Sequence, residues 1–326
     1  MSSRLSDYDY DLPRELIAQR PPEHRGDSRM MVLHRHTQTI EHQQLRELKT
    51  FLQPDDLLVL NDTRVLPARR FSNNGAVEFL FLERLGPRRW KCLVKPGRKM
   101  RIGDTAMIGN ATLQVEEITS DGERIVVLSN DVDLYSGGSM PLPPYVGRQS
   151  DAEDAARYQT VFAQTPGALA APTAGLHFTP EILSKIPHTF VTLHVGTGTF
   201  LPVRSENIAE HRMHAERFSI STSATARINA ASRIVAVGTT VVRVLESAKR
   251  YHGKLIAQTG STDIFIYPPY QVQAVDLLLT NFHLPRSTLL MLVSAFAGRE
   301  CLLRAYEDAI RERYRFYSYG DCMLIL

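Results

Sequence analysis

Residues 76–133 alternate short apolar segments with turn-forming residues and show hardly any helical pattern, which limits what this part of the chain can fold into. Four segments have the alternation typical of strands: 76–83, 90–95, 112–118 and 124–128. Gly86-Pro87 separates the first two, and Asp121-Gly122, a dipeptide that favours hairpin turns, separates the last two. Strands at this spacing predict a small β-barrel.

The rest of the chain has a mixed pattern of strands and helices. The expected strands are 233–237 and 275–280, and the expected helices are 241–249, 287–296 and 300–313. Residues 140–145 form a proline-rich, extended linker. We therefore expect a mixed α/β (α+β) domain of residues 1–72 and 141–326, interrupted by a small inserted all-β, barrel-like domain of residues 73–140.

The composition is that of an ordinary globular protein: 43% of the 326 residues are hydrophobic and 22% are charged. No apolar run is long enough to span a bilayer, and residues 1–11 are polar and acidic, unlike a signal peptide. Cys92, Cys301 and Cys322 are too few and too far apart for a disulfide framework. We therefore expect a cytoplasmic protein whose fold needs neither a metal nor a disulfide.

The net charge of +3 permits a nucleic-acid partner but does not require one. Basic residues cluster around Trp90, namely Arg88, Arg89, Lys91, Lys95, Arg98, Lys99 and Arg101. This cluster has two interpretations, a solvated strand surface or a patch that contacts nucleic-acid phosphates.

Outside the β-rich stretch, several segments pair reactive side chains with glycine. In the segment 171–178, Thr173 offers a hydroxyl, Gly175 permits close approach of the backbone to a ligand, and His177 can act as an acid or base. In the segment 192–200, His194 is expected to end a strand, and the glycine-rich turn after it can surround an anion with N–H groups.

The segment 210–216 contains His211, His214 and Glu216, which suggest a metal site. However, the spacing of helical metallohydrolases is absent and no cysteine is nearby. Catalysis or ligand binding by His214 and Glu216 is therefore the favoured interpretation, and participation in a buried ion pair is the alternative.

Two segments couple a strand end to a helix start. At Gly238-Thr239-Thr240 the first N–H groups of the helix favour an anion. Arg243 and Glu246 lie on one face of that helix, where they can form a structural ion pair or where Arg243 can face a ligand. In the segment 280–288, Asn281 and His283 follow an expected strand and precede a helix that Ser287 can cap.

The segment 314–321 alternates aromatic and polar residues and ends in Gly320-Asp321, which favours a site over simple core packing.

Taken together, these segments resemble one family, the S-adenosylmethionine:tRNA ribosyltransferase-isomerases of queuosine biosynthesis. The resemblance also covers Asp9 to Pro13, Leu16 to Gln19, Ser28-Arg29, Leu58 to Arg69, Met140 to Pro144 and Arg157 to Thr160. Only the β-rich stretch matches loosely, and Thr197 stands where the resemblance leads us to expect leucine.

The resemblance implies an enzyme that transfers the ribosyl portion of S-adenosylmethionine, not its methyl group. The acceptor would be 7-aminomethyl-7-deazaguanine at the wobble position of a tRNA, and the product would be epoxyqueuosine-tRNA, with adenine and methionine released. S-adenosylmethionine is then a co-substrate, and no metal or other cofactor is expected. The resemblance also implies a monomer.

The expected roles of the site residues follow from this chemistry. His177, His194 and His214 are expected to transfer protons, and Glu216 or Asp321 to meet an ammonium group. Three groups of substrate-binding residues are also expected: Arg243 with Gly238, Thr239 and Thr240 for an anion such as the methionine carboxylate, Asn281 with His283 for a base edge, and Asn61 with Arg64, Thr173 and Gly175 around the same pocket.

Two alternatives come from other functional classes. One is a non-catalytic RNA-binding protein built on the β-rich stretch and its basic strand. The other is a metal-dependent hydrolase that uses His211, His214 and Glu216.

Overall fold

A computed structural model describes residues 3–196, 198, 203 and 205–326. The chain divides into two compact units: the first comprises residues 1–64, 144–148 and 157–326, and the second comprises residues 65–143 and 149–156. The predicted domain boundaries differ from these at the edges, and the assignment of 73–140 as a separately folding insertion stays a prediction.

The strands, in chain order, are β1 (Arg29–His34), β2 (Thr39–Gln44), β3 (Asp56–Asn61), β4 (Thr63–Val65), β5 (Arg69–Phe71), β6 (Glu78–Arg84), β7 (Arg89–Lys95), β8 (Thr105–Ile108), β9 (Ala111–Ile118), β10 (Arg124–Leu128), β11 (Thr165–Ala168), β12 (His188–Leu193), β13 (Glu216–Ile220), β14 (Arg233–Val237), β15 (Arg250–Tyr251), β16 (Lys254–Leu255), β17 (Gln258–Thr262), β18 (Leu277–Asn281) and β19 (Cys322–Ile325). The α-helices are α1 (Ala152–Arg157), α2 (Pro180–Leu183), α3 (Thr222–Ala230), α4 (Thr239–Ser247), α5 (Thr288–Ala297) and α6 (Arg299–Arg311). Short 3-10 helices span Leu5–Tyr8, Arg14–Leu16, Leu45–Phe51, Gly97–Lys99, Thr173–His177 and Ile208–Glu210.

The first unit is built on a sheet that has nine strands within the described residues, in the order β17-β13-β12-β3-β14-β18-β19-β1-β2. The four central strands β12, β3, β14 and β18 run parallel. β19 is antiparallel to β18, and β1 is parallel to β19. As a result, the carboxyl ends of the four central strands meet the starting ends of β19 and β1 along one edge of the sheet.

The central strands are apolar throughout because both faces of the sheet are covered. In β3, Leu57 and Val59 face one hydrophobic cluster and Leu58 and Leu60 face the other. Helices α4, α5 and α6 supply much of the first cluster, and the 3-10 helix Leu45–Phe51 packs in the second. The mixed α/β class predicted from the sequence is confirmed.

The second unit contains an antiparallel sheet that has six strands in the described part of the chain, in the order β5-β6-β7-β10-β9-β8. Phe79, Phe81 and Trp90 fill its interior. The two edge strands approach each other where Asn73 N–H donates to the Met107 carbonyl at 2.8 Å. The sheet is therefore nearly closed, in agreement with the barrel-like strand pattern.

The predicted elements lie close to the observed ones. β10 and β14 begin and end where the alternation predicts, and Gly122 forms the predicted turn with a φ of +80°. The helix predicted from residue 241 starts two residues earlier, at Thr239, because Gly238 is already the N-cap. Thr197, Thr199 and Phe200 of the predicted glycine-rich turn lie outside the described residues.

No helix in the described chain combines the length and the apolar character needed to cross a membrane.

An ion pair with a buried carboxylate and a half-buried guanidinium joins the first residues of two neighbouring parallel strands. Arg233 Nε and Nη2 donate to Asp56 Oδ1 and Oδ2 at 2.8 and 2.6 Å, and Gln53 N–H also donates to this carboxylate. The Asp56 side chain is 1% exposed. Removal of the carboxylate therefore leaves several donors unpaired.

We predict that Asp56→Ala lowers the free energy of unfolding by about 2 kcal/mol, because buried hydrogen bonds to a charged group are lost. Urea unfolding followed by circular dichroism measures the change. Asp9→Ala is the matched control, because Asp9 pairs with Arg286 at an exposed position and such pairs contribute about 0–1 kcal/mol. Equal losses in the two variants would contradict a special role for the buried pair.

Candidate functional site

The carboxyl edge of the nine-stranded sheet brings the sequence motifs of the first unit together. Asn61 ends β3, Gly238 follows β14, and Asn281 ends β18. Asn281 pairs with Cys322, the first residue of β19. In open α/β sheets the carboxyl ends of parallel strands are the usual position of a ligand.

A pocket opens at this edge. Seven predicted substrate-binding residues line it: Thr173, Gly238, Thr239, Thr240, Arg243, Asn281 and His283. These residues are separated by as many as 110 positions in the sequence, and the parallel strand order places them around one cavity.

The first turn of α4 forms one wall of the pocket. Gly238 is the N-cap and has a φ of +93°, a conformation that glycine adopts without strain. No side chain in the described chain caps this helix, and the buried Thr240 hydroxyl finds no hydrogen-bond partner among the described residues. Free N–H groups at a helix start carry a partial positive charge, so this wall favours an anionic group.

Arg243 lies on the next turn of the same helix and is only 2% exposed. Its Nη1 pairs with Glu216 Oε2, whereas its Nε and Nη2 have no partner among the residues that the structure describes. The other carboxylate oxygen of Glu216 accepts a hydrogen bond from Gly196 N–H at 2.8 Å. Arg243 therefore keeps donors for a ligand while its charge is balanced by Glu216.

The suggested ion pair between Arg243 and Glu246 is wrong. Glu246 instead accepts hydrogen bonds from the Tyr270 hydroxyl at 2.7 Å and from the backbone N–H groups of Gln273 and Ala274. Helical spacing permits the pair, but Glu216, which is 27 residues away in sequence, reaches the guanidinium from β13.

Asn281 lies opposite a buried histidine. Its Nδ2 donates to His177 Nε2 at 3.1 Å and to the Tyr317 carbonyl at 3.0 Å, and His177 Nδ1 contacts Ser28 Oγ at 2.7 Å. Burial lowers the pKa of His177 to about 4. His177 is therefore neutral at physiological pH, and both of its ring nitrogens are engaged. It lines a smaller cavity beside the pocket, together with Ser28.

His283 lines the pocket itself. Its Nε2 contacts the Thr280 hydroxyl at 2.9 Å, and its backbone N–H donates to the Tyr306 hydroxyl at 2.9 Å. The Tyr10 hydroxyl donates to its carbonyl. Burial lowers the pKa of His283 to about 3, so this ring is also neutral at physiological pH.

Two predicted residues support the edge from behind the pocket. The amide of Asn61 donates to the Leu193 carbonyl and accepts from Leu193 N–H, both at 3.0 Å, and thus braces β3 against β12. His194 Nδ1 contacts the Thr63 hydroxyl at 2.8 Å, and burial is the main cause of its lowered pKa. A side chain at Gly167 would lie 2.7 Å from this ring, so glycine there makes room for His194.

Three other predicted site residues do not line the pocket. A Cβ at Gly175 would meet Phe162 and Thr160 within 3 Å, so this glycine serves close packing. Arg64 is exposed. Asp321 accepts hydrogen bonds from the backbone N–H groups of Arg29 at 2.9 Å and of Arg315 at 2.8 Å, which braces the chain before β1 and β19.

The metal-site interpretation finds no geometric support. Glu216 is engaged by Arg243 and Gly196, His211 packs its ring against Phe265, and His214 is exposed. Within the described residues no group of three or more histidine, cysteine, aspartate or glutamate side chains is arranged to hold a metal ion.

Several pocket residues are not among the predicted site residues, including Tyr145, Tyr158, Tyr317 and Ser318. The rings of Tyr145 and Tyr317 lie edge to face with their centroids 3.7 Å apart, and the Tyr145 hydroxyl contacts Ser318. Tyr317 has a φ of +77°, which is uncommon for a residue with a side chain. The alternation of aromatic and polar residues in 314–321 is the sequence signal that could have indicated Tyr317 and Ser318. Tyr145 lies at the end of a proline-rich segment that predicts a linker, so no sequence signal indicates that it lines a pocket.

Comparisons with known proteins find relatives along almost the whole chain. The model of a family described as queuosine biosynthesis protein matches residues 5–325. The S-adenosylmethionine:tRNA ribosyltransferase-isomerases of Halothermothrix orenii and Symbiobacterium thermophilum are 48% and 50% identical to this chain, and each alignment covers 99% of this chain and 100% of the relative. The crystal structure of the S-adenosylmethionine tRNA ribosyltransferase from Thermotoga maritima is similar with a TM-score of 0.57 and 40% identity, covering 98% of this chain and 100% of that one.

We predict that the stability of the protein falls as the pH is lowered from about 6.5 to about 4. The folded pKa values of His177 and His283, about 4 and about 3, lie below the ordinary value of 6.5. The unfolded chain therefore binds protons in this window that the folded chain does not, at a cost of up to about 1.4 kcal/mol per pH unit for each histidine. Urea unfolding between pH 7 and pH 4.5 measures the slope, and His177→Phe should make it shallower. Parallel curves for the two proteins would contradict the assignment.

Proposed function

The chain belongs to the queuosine biosynthesis protein family, and from this membership we propose that it is an S-adenosylmethionine:tRNA ribosyltransferase-isomerase. It moves the ribosyl moiety of S-adenosylmethionine onto 7-aminomethyl-7-deazaguanine at the tRNA wobble position. The product is epoxyqueuosine-tRNA, and adenine and methionine are released. We further propose that it acts as a monomer in the cytoplasm and uses S-adenosylmethionine as co-substrate without a metal or other cofactor.

The observation that carries the proposal is the set of buried donors that have no partner within the described residues. Arg243 Nε and Nη2 and the Thr240 hydroxyl belong to this set, and all three lie where the free N–H groups of α4 begin. A buried polar group without a partner costs about 1–3 kcal/mol, so such a cluster is best explained by a ligand that satisfies it. The carboxylate of the methionine portion has the charge and the acceptor geometry for a guanidinium and a helix start.

The reaction requires proton transfer as well as binding. The sulfonium acidifies the C5′ protons of the ribose, so that a base can form an ylide, and adenine then leaves as the ring opens. His283 is the histidine that lines the pocket in the described part of the chain, and it is neutral at physiological pH. It therefore joins His194 and His214 as a proposed proton-transfer residue, whereas both ring nitrogens of His177 are already engaged by Ser28 and Asn281.

The acceptor amine must be neutral to attack, and a buried site favours its neutral form.

The proposed partners of an ammonium group, Glu216 and Asp321, already form hydrogen bonds with other groups: Glu216 with Arg243 and Gly196, and Asp321 with two backbone N–H groups. The aromatic wall of Tyr145 and Tyr317 suits a planar base.

We propose that residues 73–140 are an inserted β-barrel domain and that basic residues of this domain help to bind the tRNA. Two of them are engaged in exposed ion pairs, Arg89 with Glu116 and Lys91 with Glu83. The alternatives of a non-catalytic RNA-binding protein and of a metal-dependent hydrolase gain no support, because the family match extends over residues 5–325.

The proposed reaction is tested by product analysis. The purified protein is incubated with S-adenosylmethionine and a tRNA that carries the aminomethyl-deazaguanine, and adenine, S-adenosylhomocysteine and the tRNA mass are measured. Adenine release with a matching ribosyl-derived mass gain is expected. Formation of S-adenosylhomocysteine would show methyl transfer and overturn the proposal.

We predict that Thr240→Val raises the KM for S-adenosylmethionine about fivefold, because one hydrogen bond to the ligand is lost. Stability should change little, because this hydroxyl has no partner in the part of the protein that the structure describes. Steady-state adenine release measures the KM. Thr225→Val, which removes a hydroxyl that donates to the Thr222 carbonyl outside the pocket lining, is the control and should keep the wild-type KM. An unchanged KM for Thr240→Val would place the ligand elsewhere.

A further inference from the structure

Within the described residues, the side-chain amide of Asn281 forms hydrogen bonds through its nitrogen but not through its oxygen. Its Nδ2 donates to two acceptors, His177 Nε2 at 3.1 Å and the Tyr317 carbonyl at 3.0 Å. Its Oδ1 is buried and has no hydrogen-bond partner among the described residues. Because the residue lines the pocket, the carbonyl is an acceptor that a ligand can complete.

The direction of this amide is fixed by its neighbours. If it were reversed, Oδ1 would face the Tyr317 carbonyl, which is also an acceptor, and the lone pair of His177 Nε2. The ring of His177 keeps that lone pair on Nε2 when its proton is on Nδ1, where Ser28 Oγ lies 2.7 Å away. Burial, which lowers the pKa of His177 to about 4, keeps the second proton off the ring.

The surroundings of the unpaired Asn281 carbonyl define the ligand group. The pocket near Asn281 has the aromatic side chains of Tyr145, Phe282 and Tyr317 in its walls. A neutral acceptor beside aromatic rings suits a planar heterocycle that presents an N–H group at its edge. A carboxylate or phosphate would be repelled by this oxygen.

We propose that Ser28 and His177 are positioning residues that orient Asn281 so that its carbonyl accepts a hydrogen bond from the exocyclic amine of a nucleobase. This inference rests on the proposed function, which supplies two such bases, the adenine of S-adenosylmethionine and the wobble base of the tRNA. It also gives His177 a role different from proton transfer, because the ring acts through Asn281 and lines the neighbouring cavity.

The first experiment compares ligands that differ in one amine. Calorimetry measures the binding of S-adenosylmethionine and of its 6-oxo analogue, and filter binding compares tRNAs with guanosine or inosine at the wobble position. The wild-type protein should prefer the amine-bearing member of one pair by about tenfold. In the other member the Asn281 carbonyl would face an oxygen acceptor, as in the 6-oxo analogue, or no polar group, as in inosine, and would lose its hydrogen bond. The pair that shows the preference identifies the base. No preference in either pair would overturn the proposal.

Variants distinguish a positioning role of His177 from a general loss of folding. Asn281→Leu should abolish the preference, and His177→Phe should reduce it about fivefold, because one of the two hydrogen bonds that orient the amide is lost. His188→Phe is the matched control, since His188 begins β12 at the opposite edge of the sheet, and it should keep the wild-type preference. Retention of the full preference in His177→Phe would contradict the positioning role.

The tautomer of His177 provides a test that does not depend on turnover. Nitrogen-15 NMR of the folded protein should show Nδ1 protonated and Nε2 bare at pH 7, and Ser28→Ala should shift protons towards Nε2. Protonation of Nε2 in the wild-type protein would overturn the proposal, because the amide of Asn281 would then be reversed. If the wild-type protein releases no adenine although this tautomer is found, the proposed function fails while the orientation of Asn281 stands.

Discussion

The parallel hydrogen bonding of β12, β3, β14 and β18 is the constraint on which the rest of the first unit depends. It aligns four carboxyl ends at one edge, and the antiparallel β19 brings the segment before Cys322 to the same place. The two hydrophobic clusters that cover the sheet hold this register, because a shift by one residue would exchange the two faces of every strand. The site is thus a consequence of how the core is packed.

Polar groups at this edge fall into two classes according to their hydrogen bonds. The side chains of Asn61 and Asp321 form hydrogen bonds with backbone N–H and carbonyl groups and so define the shape of the edge. Thr240, Arg243 and Asn281 keep buried atoms that no described residue satisfies. Buried groups of the second kind are costly to the folded protein, and a ligand that satisfies them recovers this cost on binding. This distinction separates residues that build the pocket from residues that face its ligand.

The sequence predicts well what short-range rules determine. Alternation locates β10 and β14, and the Gly238-Thr239-Thr240 motif correctly indicates a strand that ends in a helix start. The resemblance to a known family is confirmed by the match over residues 5–325. Local spacing thus suffices for the elements and for the helix start at Gly238.

Long-range partners could not be predicted in the same way. Arg243 pairs with Glu216 across 27 positions, not with the helical neighbour that spacing favours, and His177 meets Asn281 across 104 positions. Such contacts depend on which strands are adjacent, and no local pattern encodes that order. For the same reason the sequence suggests a ligand contact at Gly175, whereas in the structure Phe162 packs closely against this glycine.

We propose that the pocket at the carboxyl edge of the nine-stranded sheet binds S-adenosylmethionine. Hydrogen–deuterium exchange, measured by mass spectrometry with and without S-adenosylmethionine, tests it directly. We expect slower exchange in residues 238–244, where the first amides of α4 would meet the ligand, and in residues 281–284 and 317–320. Slower exchange confined to residues 65–143, with these three segments unchanged, would contradict it.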